Sequence, residues 1–276
     1  MIALGLELVA GVMFVSALAV AAVLAGAIDV TGAVSGGLIC VLALLAGGFG
    51  WLVVIIFFFA LSSVLTRYRY EYKKALGSAQ EKGGRRSWPN ALANGGVAAL
   101  ASLCELVFHS DVFALVFLTS VATAMSDTLA TEVGLLSHSQ PRLITNLREK
   151  VKAGTSGGVS MLGELAAVLA AAIISLLGII LLVVNGTHTM ELDALVSAAL
   201  GAVIGVNADS LLGATVQSVR KCIVCGEFTE SKIHEGKETT HVKGIKLVDN
   251  NVVNLLGIVI GSIAAVLAYW ALSGLI

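Results

Sequence analysis

Every one of the 17 Lys and Arg residues falls in one of three stretches, seven in 67–86, four in 142–152 and six in 220–246. Between and around these stretches run apolar segments long enough to cross a bilayer, which takes about 20 consecutive residues. This sorting of charge limits what the chain can fold into more than any local motif does. Only 13% of the 276 residues are charged and 57% are hydrophobic, whereas soluble domains carry about 25% charged residues. So few charges could not cover the surface of a soluble protein of this size, and the sequence reads as a single all-α, polytopic membrane domain over 1–276.

The candidate spans are Leu8–Ile28, 33–47, 49–66, 88–108, 111–135, 160–184, 191–213 and 251–274, about eight transmembrane helices. The run 33–66 is too long for one crossing and is interrupted by Gly47-Gly48, so it is read as two short spans. With eight spans the basic stretches lie in loops at about 67–87, 136–159 and 214–250, all on one side, and the positive-inside rule makes that side cytoplasmic. Both termini then face outward; with 33–66 as one tilted helix the N-terminus would flip to the inside and the three basic loops would stay there. The first 28 residues have no basic segment before them and are read as a span rather than a cleaved signal. A nucleic-acid partner is not expected, because no basic face with interleaved aromatic residues exists. Cys222 and Cys225 in a cytoplasmic loop argue against a disulfide framework.

The ionisable residues inside the spans are all acidic. Charges at such depth are costly and mark functional candidates. Asp127 and Glu132 lie in the fifth span, Glu164 in the sixth, Asp209 in the seventh and Glu105 in the fourth. Carboxylates sharing a low-dielectric region repel unless a cation or protons join them, and a hard ion such as Mg²⁺ suits oxygen ligands. Asp127 and Glu132 are five residues apart, about 140° around a helix, so another span must help them hold one ion. Span direction puts Asp127, Thr128 and Glu132, Asn207 and Asp209, Asn250 and Asn254, and Arg86 and Asn94 toward the same cytoplasmic face. There the segment Gly154-Thr155-Ser156-Gly157-Gly158-Val159-Ser160 enters a span. Such a segment offers backbone N–H groups and a positive helix end to phosphate oxygens, with Arg148, Lys150 and Lys152 just before it. Glycine-rich runs beside membrane helices also serve close packing, and no P-loop motif is present. Cys222, Cys225 and His234 form a second, zinc-type ligand set; two reduced, inert thiols are the competing reading.

Seven elements occur in order between about 60 and 256: Arg-x5-Leu-Ala-Asn-Gly-Gly (86–96), Ser-Asp-Thr-x-Ala-x-Glu-x-Gly (126–134), Pro-Arg-Leu-Ile-Thr (141–145), Gly-Thr-Ser-Gly-Gly-Val-Ser (154–160), Asp-Ser-Leu-Leu-Gly-Ala-Thr-x-Gln (209–217), Cys-x-x-Cys-Gly (222–226) and Asp-Asn-x-x-Val-Asn (249–254). In these the chain resembles the integral-membrane family that includes plant phytyl-phosphate kinase and vertebrate transmembrane protein 19, and more distantly the phytol and dolichol kinases. The resemblance implies phosphorylation of a prenyl monophosphate to the diphosphate by a nucleoside triphosphate such as CTP. It implies Asp127, Glu132 and Asp209 as Mg²⁺ or catalytic groups. Arg86, Lys152, Gly154, Thr155, Ser156, Gly157, Gly158 and Ser160 are then expected around phosphate, with Asn94, Thr128, Asn207, Asn250 and Asn254 as polar helpers. Asn251 stands where relatives carry Asp, which removes one charge. The partners expected are the nucleotide, an isoprenoid lipid and the bilayer. The alternative reading is an ion-coupled transporter of a small or lipidic anion, for which short spans 33–47 and 49–66 and intramembrane acids are also suited.

Overall fold

The computed structural model describes residues 2–75, 84–184, 192–234 and 236–274, with side chains from residue 8 onward. Eight helices occur among these residues: α1 (Ile2–Leu24), α2 (Val30–Arg67), α3 (Tyr70–Ala75), α4 (Trp88–Phe108), α5 (Asp111–Gly134), α6 (Met161–Val184), α7 (Leu192–Thr215) and α8 (Asn250–Leu272). Six of them, α2 and α4–α8, are long and apolar enough to cross a membrane, and α1 contributes the shorter apolar segment Leu8–Leu24. Lys82 and the connection at 185–191 lie outside the described residues.

Helix α2 is folded back on itself. A straight helix of its 38 residues would be about 57 Å long, yet both ends meet the same segments. Asp29 N donates to Arg86 O (2.9 Å) just before α2 begins, and Arg67 Nη2 at its end donates to Ala25 O (2.8 Å). The reversal occurs at Gly47 (φ −124°, ψ 16°) and Gly48 (φ 64°, ψ −157°), where the helical geometry is broken. Gly48 occupies a region that glycine alone enters readily. A Cβ on Gly47 would lie 2.0 Å from the Trp51 ring, and that ring stacks on Phe117 of α5 at 3.9 Å. The hairpin is thus wedged against the centre of the bundle. Its two arms meet at Gly47-Gly48, the break expected between the short spans 33–47 and 49–66.

Helix α5 is the axis of the bundle, touching α2, α4, α6, α7 and α8. Its buried side chains run on every face, from Ala114 and Leu115 to Met125 and Leu129, as befits a helix surrounded by helices. Helix α6 shows the inverse of a soluble helix. Its buried face is mostly small, with Gly163, Ala166, Ala167, Ala170, Ala171, Ser175 and Gly178 beside Ile174 and Leu182, while Leu165, Leu169, Ile173, Leu176 and Ile180 point outward. Small residues let membrane helices approach, and large apolar ones face lipid.

Two of the expected loops carry strands as well as turns. Between α5 and α6, β1 (Arg142–Leu143), β2 (Asn146–Lys150) and β3 (Gly158–Val159) form a sheet in the order β2-β1-β3. Between α7 and α8, β4 (Val219–Cys222), β5 (Phe228–Thr229), β6 (Ile233–His234) and β7 (Lys237–Lys243) form a second in the order β5-β4-β7-β6. Periods of two over so few residues are hidden among charged side chains, and the pairing is non-local, so neither sheet is visible in the sequence. Both sheets lie at the end of the bundle where α5 and α7 finish and α6 and α8 begin, and where both ends of α2 meet. All described Lys and Arg sit at this one face.

The hairpin generates a test. Gly47→Ala must displace Trp51, and Gly48→Val forces a branched residue to positive φ, a strain of about 1–3 kcal/mol. Either variant is expected to lower the thermal unfolding midpoint of the detergent-solubilised chain by several degrees, measured by tryptophan fluorescence. An unchanged midpoint in both would contradict the hairpin.

Candidate functional site

Three helices meet at a glycine contact about two to four turns below the strand-bearing face. Gly201 and Gly205 of α7 lie against Gly257 and Gly261 of α8 so closely that a Cβ on Gly201 would sit 2.5 Å from Gly261 O, and one on Gly205 2.8 Å from Gly257 O. Thr123 of α5 closes the contact, its Cγ2 2.7 Å from a Cβ built on Gly205 and its Oγ1 3.0 Å from one on Gly261. Paired small-xxx-small patterns of this kind are how membrane helices reach their nearest approach. One turn along each helix, four residues from Thr123 and from Gly205 and three from Gly257, stand Asp127, Asp209 and Asn254. Residues so spaced share a helix face, so the same contact that packs the helices brings these polar groups together.

Asn254 Nδ2 donates to Asp209 Oδ2 (3.2 Å) and to Asn250 O (2.8 Å), with the amide oriented so that its donors meet acceptors. Asp209 also packs on Gly257, where a Cβ would approach its own at 3.0 Å. Asp127 and Asp209 lie in each other's field, and both feel Glu230 of the segment joining β5 to β6. Glu230 Oε1 in turn accepts from Ser156 Oγ (2.6 Å). Arg86 faces Glu132 and Asp127, with its guanidinium 5.7 Å from the Phe58 ring. Burial pulls the guanidinium below its ordinary value, and the charges of Glu132 and Asp127 oppose that shift; arginine nevertheless stays charged in proteins. Its backbone is pinned on both sides, Arg86 N donating to Ala27 O (3.0 Å) and its carbonyl accepting from Asp29 N.

Glu132 has a partner that the sequence did not disclose. Lys73 of α3 donates its Nζ to Glu132 Oε2 (2.5 Å) and to Leu65 O (2.7 Å). Its side chain is 2% exposed and that of Glu132 3%, so this pair is sealed from solvent. Lys73 lies in the first basic stretch, and nothing in the sequence sets it apart from the other cations there. The six-residue α3 that delivers it is too short for any periodicity to show.

The remaining expected residues are spread over three settings. Asn90 Nδ2 donates to Asn251 Oδ1 (3.0 Å), joining the starts of α4 and α8, and Asn94 Nδ2 donates to Asn90 O (2.9 Å). Asn250 is exposed and offers its carbonyl to Asn254. Thr128 Oγ1 returns to Ala124 O within its own helix (3.0 Å). Asn207 points to α6, donating to Glu164 and to Val203 O (3.0 Å), on the far side of α7 from Asp209.

The 154–160 segment does not enter α6 as an open set of N–H groups. Thr155 N donates to Lys152 O (3.1 Å) and Gly158 N to Thr155 O (2.8 Å), while Ser160 Oγ caps α6 by accepting from Gly163 N (3.1 Å). Gly157, at φ 76°, is pressed on the end of α7, where a Cβ would lie 2.4 Å from that of Ala214. Gly154 is exposed, as are Arg148 and Lys150 on β2. Lys152 is solvent-facing and paired with Glu227 (3.2 Å). In this arrangement the segment docks the first sheet on α7 and holds Glu230 through Ser156.

Among the described residues a separate ligand group forms at the edge of the second sheet, from Cys225, Glu227 and His234, whose ligand atoms lie within 4.8 Å of one another. Cys222, expected in that set, is instead buried at 3% exposure in β4. Glu227 takes its place.

These features define a polytopic helical membrane protein with a charged, carboxylate-rich site at one end of its bundle. The profile of the family described as integral membrane protein DUF92 matches residues 13–262, and the chain belongs to that family. It is 31% identical over 254 residues to Protein PGR of Arabidopsis thaliana, covering 85% of this chain and 86% of that one. It is 32% identical over 225 residues to the membrane protein MJ0933 of Methanocaldococcus jannaschii, covering 82% and 79%. To the chloroplastic protein VTE6 of Arabidopsis it is 29% identical over 226 residues, 80% of this chain and 59% of VTE6. No solved structure matches.

The buried pair yields a prediction. Lys73→Met takes away the cation bonded to Glu132 and leaves its buried charge to the more distant Arg86, a loss of up to about 3–5 kcal/mol, whereas Lys73→Met with Glu132→Gln removes both members of the bonded pair. Thermal unfolding in detergent is expected to show a large loss for the single variant and recovery of most of it in the double variant. Equal losses would show that Glu132 has no need of Lys73.

Proposed function

We propose that the chain is a membrane kinase that phosphorylates a prenyl monophosphate of the phytyl or geranylgeranyl type to the diphosphate, using a nucleoside triphosphate such as CTP, at the cytoplasmic end of the bundle. The observation that carries this reading is the convergence of Asp127 and Asp209 from α5 and α7, with Arg86 in the field of Asp127. Four carboxylates, those of Asp127, Glu132, Asp209 and Glu230, face two cations, Lys73 and Arg86, in one electrostatic network. The oxygen-only donor set suits Mg²⁺, and Asp127 and Asp209 are the residues that would hold it. Glu132, held by Lys73, supports Arg86 instead. When bound, the ion would supply positive charge to offset the charge that develops on the phosphates.

The remaining chemistry falls to the chain. Arg86, fixed through its backbone, can present a planar pair of donors to phosphate. Asn254 holds Asp209 at a set angle. The acceptor is a phosphate monoester already ionised near neutral pH, so no strong general base is needed, and positioning and electrostatic stabilisation carry the catalysis. The isoprenoid tail would remain among apolar side chains of the bundle while its phosphate reaches the charged face. The seven ordered motifs resemble the family that includes plant phytyl-phosphate kinase, which supports the same assignment. The basic stretches at this face support its cytoplasmic orientation. Asp127 and Asp209 lie within about two turns of their helix ends, a position better suited to substrate entering from the aqueous boundary than to a carrier site at the bilayer midplane.

Purified full-length protein in detergent, supplied with phytyl or geranylgeranyl monophosphate, Mg²⁺ and CTP, ATP, GTP or UTP in turn, is expected to form the diphosphate. Asp127→Asn is expected to reduce kcat by about 10²–10³-fold, the range for loss of one transition-state electrostatic group. Absence of diphosphate with every donor, or an Asp127→Asn variant with unchanged rate and Mg²⁺ dependence, would refute the assignment.

A further inference from the structure

The charged network leaves one group of metal-type ligands unused. The turn after β4 is tight, with Gly226 N donating to Cys222 O (3.1 Å) and Cys222 N to Glu227 O (2.9 Å), and Gly226 at φ 74°. It sets Cys225 and Glu227 at one end of the sheet. His234 arrives from β6, which pairs with β7 through His234 and Lys237, and β7 pairs with β4. The three ligands therefore come from two separate stations on one hydrogen-bonded sheet, and His234 Nε2 lies 3.7 Å from Glu227 Oε2.

We propose that Cys225, Glu227 and His234 bind one zinc ion, which ties the β4–β5 turn to β6 and so fixes the intervening segment that carries Glu230. Thiolate, imidazole and carboxylate are the three donor types zinc takes, with bonds of about 2.0–2.3 Å. A tetrahedral site then needs ligand atoms about 3.3–3.8 Å apart, so atoms now within 4.8 Å close by a small movement of side chains free to make it. Cys225 and Glu227 are exposed and His234 half-buried. Glu227 is already oriented for single-oxygen ligation: Oε1 accepts from Lys152 Nζ (3.2 Å) and Oε2 faces His234. A partner on the second oxygen is what positions a ligating carboxylate. Water completes the fourth position. Cys222 lies outside the ligand set, because it is part of β4 in register with Thr239.

The consequence reaches the membrane face. Glu230 lies between Glu227 and His234 in the chain, bonds Ser156, and contributes to the field at Asp127 and Asp209. Pinning both ends of this short segment limits where its carboxylate can go.

The test uses the full chain in detergent, purified with an affinity tag that contains no histidine, loaded with zinc and freed of unbound metal by gel filtration. Metal content is expected at about one zinc per chain in the wild type and in Cys222→Ser, and near background in Cys225→Ser and His234→Ala that elute as the wild type does. Cobalt substitution is expected to give tetrahedral bands with one thiolate charge-transfer band, absent in Cys225→His, which keeps a ligand and retains metal. A wild type without zinc, zinc lost in Cys222→Ser, or zinc kept in both Cys225→Ser and His234→Ala would overturn the proposal. Metal content is read without any phosphotransfer assay, so it stands or falls separately from the kinase assignment.

Discussion

The near-contact of α7 and α8 at Gly201, Gly205, Gly257 and Gly261 is the constraint on which the rest of the structure depends. In lipid, helices gain nothing from hiding apolar surface from each other, so association rests on close packing and on satisfied polar groups. Backbone against backbone at this point draws in Thr123 of α5, and the three helices leave the contact with their next turns facing one another. Asp127, Asp209 and Asn254 occupy those turns. A side chain larger than hydrogen at Gly205 or Gly257 would separate the acids as well as the helices, so packing and site geometry are one property of this bundle.

The same argument explains why carboxylates can be gathered at such depth. Alone, each would be expelled or neutralised by its surroundings. Here Lys73 takes Glu132 out of the competition, and Arg86, with its backbone held between the α1–α2 connection and the start of α4, faces what remains. Asp127, Asp209 and Glu230 share one field there.

Much of this was legible in the sequence because it follows from burial and charge alone. The confinement of Lys and Arg to three stretches gave the common face, and apolar run length gave α4 through α8 within a few residues. Gly47-Gly48 marked the fold-back of α2, since a 38-residue run could not be one crossing. Asp127 and Asp209 stood out as intramembrane acids. Partners brought in by tertiary structure were not legible. Lys73 is 59 positions from Glu132 and sits on a helix of six residues. Glu230 is an exposed acid in an irregular segment, significant only because Ser156 and the ends of α5 and α7 lie beneath it. The glycine-rich 154–160 segment carries a pattern shared by phosphate loops and packing loops. The use of its amides by Lys152 O and Thr155 O, and the fit of Gly157 against Ala214, show its role in docking. Strand pairing in the two small sheets likewise placed Glu227, rather than Cys222, beside Cys225 and His234.

The most direct test of the account is divalent-ion binding at the paired aspartates, read by electron paramagnetic resonance of Mn²⁺ added to the zinc-loaded chain in detergent with nucleotide present. The account predicts one tightly held Mn²⁺ that Mg²⁺ displaces and that Asp209→Asn abolishes while the protein remains monodisperse. Mn²⁺ held equally well by Asp209→Asn, or no bound Mn²⁺ in the wild type, would contradict it.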